Sequence, residues 1–177
     1  NTLDIENLTL TGSMTNSKTY SIPSSKTLES TAAILNQKIV SGSGTVNVTT
    51  LNGDTDAVLV NITTTNVEVT TSGSSVTFSG SLPGGTTNTL NIGTLTLTGT
   101  MTNSKTYSIP SSKTLQSTAL ILNEKIISGD GTVNITELEG DTDASLVNIT
   151  VTNVSIASSG TPTFSGSFPA GTTNNQI

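Results

Sequence analysis

An all-β solenoid of stacked coils, built from two tandem repeats of about 87 residues, is the fold that the sequence predicts. Three observations carry this. The chain is self-similar, its apolar residues alternate with polar ones at period two, and aromatic residues make up only 3% of it. Residues 1–87 form repeat unit 1 and 88–173 repeat unit 2, leaving 174–177 as the start of a further repeat or a tail. The segment Met14 to Leu28 recurs word for word at Met101 to Leu115, and positions 1–73 differ from 88–160 at only 18 places.

Taken in order, each repeat reads as short strands. Leu8-Thr9-Leu10-Thr11, with Thr94-Leu95-Thr96-Leu97-Thr98 in the second copy, puts Leu on one face and Thr on the other. Val46-Asn47-Val48, Val67-Glu68-Val69 and Val154-Ser155-Ile156 repeat the alternation with residues that favour strands. Turn chemistry separates them: Ser41-Gly42-Ser43-Gly44, Asn52-Gly53-Asp54, Ser72-Gly73-Ser74 and Leu82-Pro83-Gly84-Gly85. Only 30–40 and 117–127 could hold a helix, with Leu28, Ala32 and Leu35 on one face. Their shortness and Gly/Ser ending favour strand and loop. At roughly 20 residues per coil, a repeat amounts to about four coils. The alternative is two tandem Ig-like β-sandwich domains, since about 87 residues suits one such domain. A sandwich fills its thicker core with aromatics, whereas Val, Ile and Leu ladders suffice for a solenoid.

Composition excludes most chemistry. Thr, Ser and Asn supply 79 of 177 residues, and there is no His, Cys, Trp or Arg. The chain therefore lacks an imidazole base, a thiol nucleophile and a guanidinium clamp. Its acids are mostly scattered, Asp4, Glu6, Glu29 and Glu68 having no acidic counterpart in the second copy, so a paired-carboxylate enzyme is not expected. A net charge of −6 with six Lys argues against nucleic acid as a partner. No apolar run approaches the roughly 20 residues needed to span a bilayer.

Several residues are candidates for binding or modification. Asp54 and Asp56, repeated as Asp141 and Asp143, place two carboxylates at i and i+2, which could converge on Ca²⁺; the alternative is a pair of Asx-turns. No other cofactor is implied. Asn-x-Ser/Thr sequons at Asn7, Asn47, Asn61, Asn134, Asn148 and Asn153 are candidate glycosylation sites, although a composition so rich in Asn, Ser and Thr generates about this many. Lys18, Lys26 and Lys38 recur as Lys105, Lys113 and Lys125. Such lysines either protect surfaces and strand edges or enter Lys–Asn isopeptide cross-links beside a carboxylate. Thr94, Thr96 and Thr98 would suit an ice-binding array, and Tyr20 and Tyr107 are the tyrosines available as sugar platforms.

The stretch Tyr20-Ser21-Ile22-Pro23-Ser24-Ser25-Lys26-Thr27-Leu28, followed by Ile39-Val40-Ser41-Gly42-Ser43-Gly44-Thr45-Val46-Asn47-Val48, resembles a known cadence. It is the I-P-x-G-K-T-L … G-x-G-T-V-x-V pattern of right-handed β-helix segments in large secreted adhesins of the filamentous-haemagglutinin type and other bacterial or archaeal surface repeat proteins. The likeness covers about a third of each repeat and departs at Ser25, where Gly is commoner. It implies a right-handed solenoid in an exposed stalk or fibre, with no catalytic residues to carry over. The expected function is thus a structural repeat of an extracellular cell-surface protein, an adhesin stalk or a self-assembling filament, sheath or S-layer-like subunit. Its partners would be copies of itself or adjacent repeats, through end-to-end or strand-edge contacts. The alternative is a carbohydrate- or ice-binding adhesive module.

Overall fold

A computed structural model describes residues 1–138, 143–157 and 162–171, together with the backbone of 173–176. The chain is a right-handed β-solenoid, with seven turns in the ladder that runs from Leu8 to Ile149. Its first copy contains β1 (Asn7–Thr9), β2 (Thr19–Ser21), β3 (Thr27–Ser30), α1 (Ala32–Leu35), β4 (Ile39–Val48), β5 (Ile62–Val69) and β6 (Ser75–Phe78). There follow β7 (Thr87–Leu90), β8 (Thr94–Leu97), β9 (Thr106–Ser108), β10 (Thr114–Ser117), α2 (Ala119–Leu122), β11 (Ile126–Ser128), β12 (Thr132–Ile135), β13 (Asn153–Ile156) and β14 (Thr173–Gln176). Every strand pairing among them is parallel, which removes the tandem-sandwich alternative, because Ig-like sheets are antiparallel.

Stacking in register turns alternation within a strand into columns along the axis. One sheet runs β1-β3-β4-β5-β7-β9-β11, with β2 also on β4, and the other runs β6-β8-β10-β12-β13-β14. Inside the first, Leu8, Leu28, Val46 and Val67 stack; inside the second, Val76, Leu95, Leu115, Val133 and Val154 do the same. Isolated bridges from Val58 to Ser81 and Ser81 to Thr100 mark a third side. One apolar cluster runs from Met14 to Ile156 without interruption at the boundary between the copies. Threonines at the corners tie successive levels: the hydroxyls of Thr49, Thr63, Thr136 and Thr150 each donate to a carbonyl one turn earlier, at 3.3 Å.

Two features differ from expectation. Within the windows read as strand and loop, α1 and α2 each form one helical turn. Thr31 and Thr118 cap them by accepting from the Ile34 and Ile121 amides, and the i, i+3 pairs Ala32/Leu35 and Ala119/Leu122 are buried. The second difference is rotational. Leu8 lies beside Leu28, Leu28 beside Val46, Val46 beside Val67, and Val67 beside Asn88, so four complete turns end at position 88. The counterpart of Leu8 is Leu95, seven residues further round. Each repeat therefore makes four turns and about one third more. Accordingly β3 lies in one sheet and its sequence twin β10 in the other.

Tyr107 sits at this junction, fully buried. Its hydroxyl donates to the Pro83 carbonyl and accepts from the Thr102 amide, both at 3.0 Å. Burial pushes the phenol above the usual tyrosine value, opposed by the bonds from Thr102. The stability that this contributes is complete below the unfolded-state pKa of about 10 and is lost as pH rises toward the folded one. Tyr107→Phe is expected to cost about 1–2 kcal/mol at neutral pH and to flatten the loss of stability above about pH 10. Urea unfolding of both proteins across that range measures it.

Candidate functional site

The most differentiated surface is the corner at α2, where the helical turn bulges outward over the preceding level. Thr98, Thr100, Met101, Thr118, Leu120, Ile121 and Lys125 enclose a groove of 430 Å³ there. The same corner in the first copy, with Thr11, Ser13, Met14, Ala33, Ile34 and Lys38, encloses 380 Å³. Leu120, which replaces Ala33, is 58% exposed. Beneath α2, the Lys125 ammonium donates to the Asn103 side-chain oxygen at 2.5 Å and to the Asn123 carbonyl at 2.9 Å. Lys38 makes the second of these bonds in its own copy, to Asn36, at 2.9 Å. The lysine thus closes the end of the helical turn in both repeats. Lys125 is 9% exposed, and desolvation holds its pKa below the usual lysine value, partly offset by the nearby Glu124 charge.

Of the predicted carboxylates, Asp54 and Asp56 do come together. Asp54 is raised above the usual aspartate range, first by burial and then by its hydrogen bond and charge contact with Asp56. One Asp54 oxygen accepts from the Asn36 amide at 2.9 Å, and the same Asn36 accepts from the Val58 amide at 3.0 Å. The pair therefore also shapes the loop. Among the described residues, no three His, Cys, Asp or Glu side chains are placed to hold a metal ion together. Asp141 lies outside the described residues, and Asp143 occupies a turn.

All six sequon asparagines face outward. Asn7, Asn61, Asn148 and Asn153 are exposed, and Asn47 and Asn134 are half-buried within their ladders. Four of the sequon threonines are the corner residues 49, 63, 136 and 150 whose hydroxyls join successive levels. Stacking alone thus accounts for those threonines. Tyr107 is buried and offers no platform for a sugar, while Tyr20 is half-buried and receives the Thr15 amide at 3.0 Å. Thr94 and Thr96 lie on the outer face of β8, beside Ser75 and Thr77 on one side and Thr114 and Gln116 on the other. Lys26 is paired with Asp4 at 3.5 Å.

Sequence reasoning missed the Asn103–Glu124–Lys125 cluster, because residues about one turn apart become neighbours only once the turn length is known. The one available signal was the change from Gln37 to Glu124 between otherwise matching corners. No protein family, curated protein or solved structure matches the chain. Function therefore rests on the geometry itself.

Proposed function

We propose that this chain is a structural repeat segment of an extracellular cell-surface protein, acting as a stalk or as a subunit of a self-assembling filament or coat. The observation that carries this reading is a strand ladder that passes from one copy into the next without a break in register or core. Such a ladder grows by adding repeats, each needing contacts only with its neighbours. The outer faces present Thr, Ser and Asn with little charge, which keeps a long body hydrated. Phe164 and Phe168 support stacking as well. Their counterparts Phe78 and Leu82 are fully buried under the following repeat, whereas Phe168 is 46% exposed. No helix among the described residues is long and apolar enough to cross a membrane.

Electron microscopy of the purified chain at rising concentration tests the reading, together with antibody labelling of intact source cells. Straight rods that lengthen by stacking, and labelling without permeabilisation, are the expected results. A monomer at every concentration that binds a defined glycan tightly would overturn it in favour of an adhesive binding module.

A further inference from the structure

We propose that Lys125 and Asn103 become joined by an intramolecular isopeptide bond, with Glu124 transferring the protons, so that two successive turns are covalently clamped at the α2 corner. Three chemically distinct groups meet there. Lys125, a residue nine-tenths buried, supplies a primary amine already in contact with the Asn103 side-chain oxygen at 2.5 Å, while Asn103 and Glu124 meet it from the exposed side. Asn103 supplies an amide carbon one bond from that oxygen. Its amide nitrogen donates to the Glu124 carboxylate at 3.5 Å, so an acid–base group stands at the future leaving group.

The backbone fixes this arrangement. Ser104 and Glu124 both adopt left-handed conformations, φ 60° and 58°, at the two corners that meet across one turn of the ladder. Desolvation favours the neutral form of Lys125, the form that can attack, and the preceding Asn123 carbonyl holds its nitrogen in place. In the reaction, the neutral Lys125 amine attacks Cγ of Asn103 and forms a new C–N bond. The amine's surplus proton passes to Glu124 and from there to Nδ2 of Asn103. The bond from Cγ to Nδ2 breaks, ammonia leaves, and Oδ1 remains as the carbonyl of the new amide. Nothing is oxidised or reduced, and no co-reactant is consumed.

The first copy is a built-in control. Its corner has Asn16 and Lys38 at the matching positions but Gln37 where the second has Glu124. Gln37 holds the same left-handed conformation, φ 58°, while Lys38 bonds the Asn36 carbonyl without the further bond to an Asn side chain that Lys125 makes, so the first copy lacks both the carboxylate and the amine-to-amide contact. The cross-link belongs to the second copy alone.

Mass spectrometry decides the matter. The intact chain, on isolation or after incubation at mildly alkaline pH, should be lighter by one ammonia, about 17 Da. Fragmentation should show a branched peptide joining positions 103 and 125. Glu124→Gln should slow formation roughly a hundredfold, the scale of a lost acid–base group, while leaving the circular dichroism unchanged. A folded chain that keeps its full mass would overturn the proposal. So would an ammonia loss that persists in Lys125→Arg, because Asn103-Ser104 can lose ammonia alone as a succinimide. Unchanged kinetics in Glu124→Gln would also overturn it as stated.

Discussion

Gly129→Val is expected to destabilise the fold by about 4 kcal/mol or more, a large part of the total stability of a domain this size. The position has φ +117°, a left-handed conformation that a β-branched residue avoids. Contact makes it worse: an added Cβ would lie 2.4 Å from the Ile109 carbonyl oxygen and 3.0 Å from the Ile109 nitrogen. Those atoms are backbone of the preceding level and carry ladder hydrogen bonds, so they cannot retreat without parting the two turns. Gly42 in the first copy repeats the geometry, with φ +116° and the Ile22 oxygen at 2.3 Å. The same loss is expected for Gly42→Val. Gly12 is the control: nothing lies within 4 Å of its added Cβ, so Gly12→Val should stay within about 0.5 kcal/mol of the parent. Urea denaturation followed by circular dichroism separates the three variants.

Phe78→Ala carries the second large effect, about 3–5 kcal/mol. Phe78 is fully buried at the end of β6, directly beside Leu97 of β8, so its ring fills the core where the first copy hands over to the second. The cavity left by truncation cannot collapse easily, because the strands on both sides are held by the ladder. Phe164, the equivalent ring in the second copy, is only half-buried, and Phe164→Ala should cost about 1 kcal/mol. The difference between the two truncations measures what the following repeat adds by covering the ring.

Much of this architecture was legible in the sequence, for a physical reason. Period-two alternation, as in Thr94-Leu95-Thr96-Leu97, specifies which side of a strand faces inward, and the structure buries those leucines while leaving the threonines outside. Turn positions were legible too. Ser25, noted as standing where Gly is commoner, has φ 64°, so the residue departs from the pattern while the backbone keeps to it. Two things were not legible. The helical turns fell inside the two windows named as possible helix but were read there as strand and loop, because one turn needs only a Thr cap and two buried side chains, too short a pattern for a 3.6-residue period to decide. The angular offset was hidden because turns vary in length, from 18 residues between Leu28 and Val46 to 23 between Val58 and Ser81. Four such turns cannot be told from four and a third by spacing alone. The same ignorance concealed the corner cluster of Asn103, Glu124 and Lys125, since their proximity depends on that local turn length.

The extra third of a turn has a consequence for anything that approaches from the side. If copies succeed one another as the first two do, a given surface feature returns to the same bearing only every third repeat, after about 13 turns or some 62 Å at 4.8 Å per level. The bulge at α2 would then wind around the body like the treads of a spiral stair. A flat neighbour would touch one copy in three and leave the other two for neighbours on the remaining sides, so a bundle of such rods would have three equivalent sides by construction.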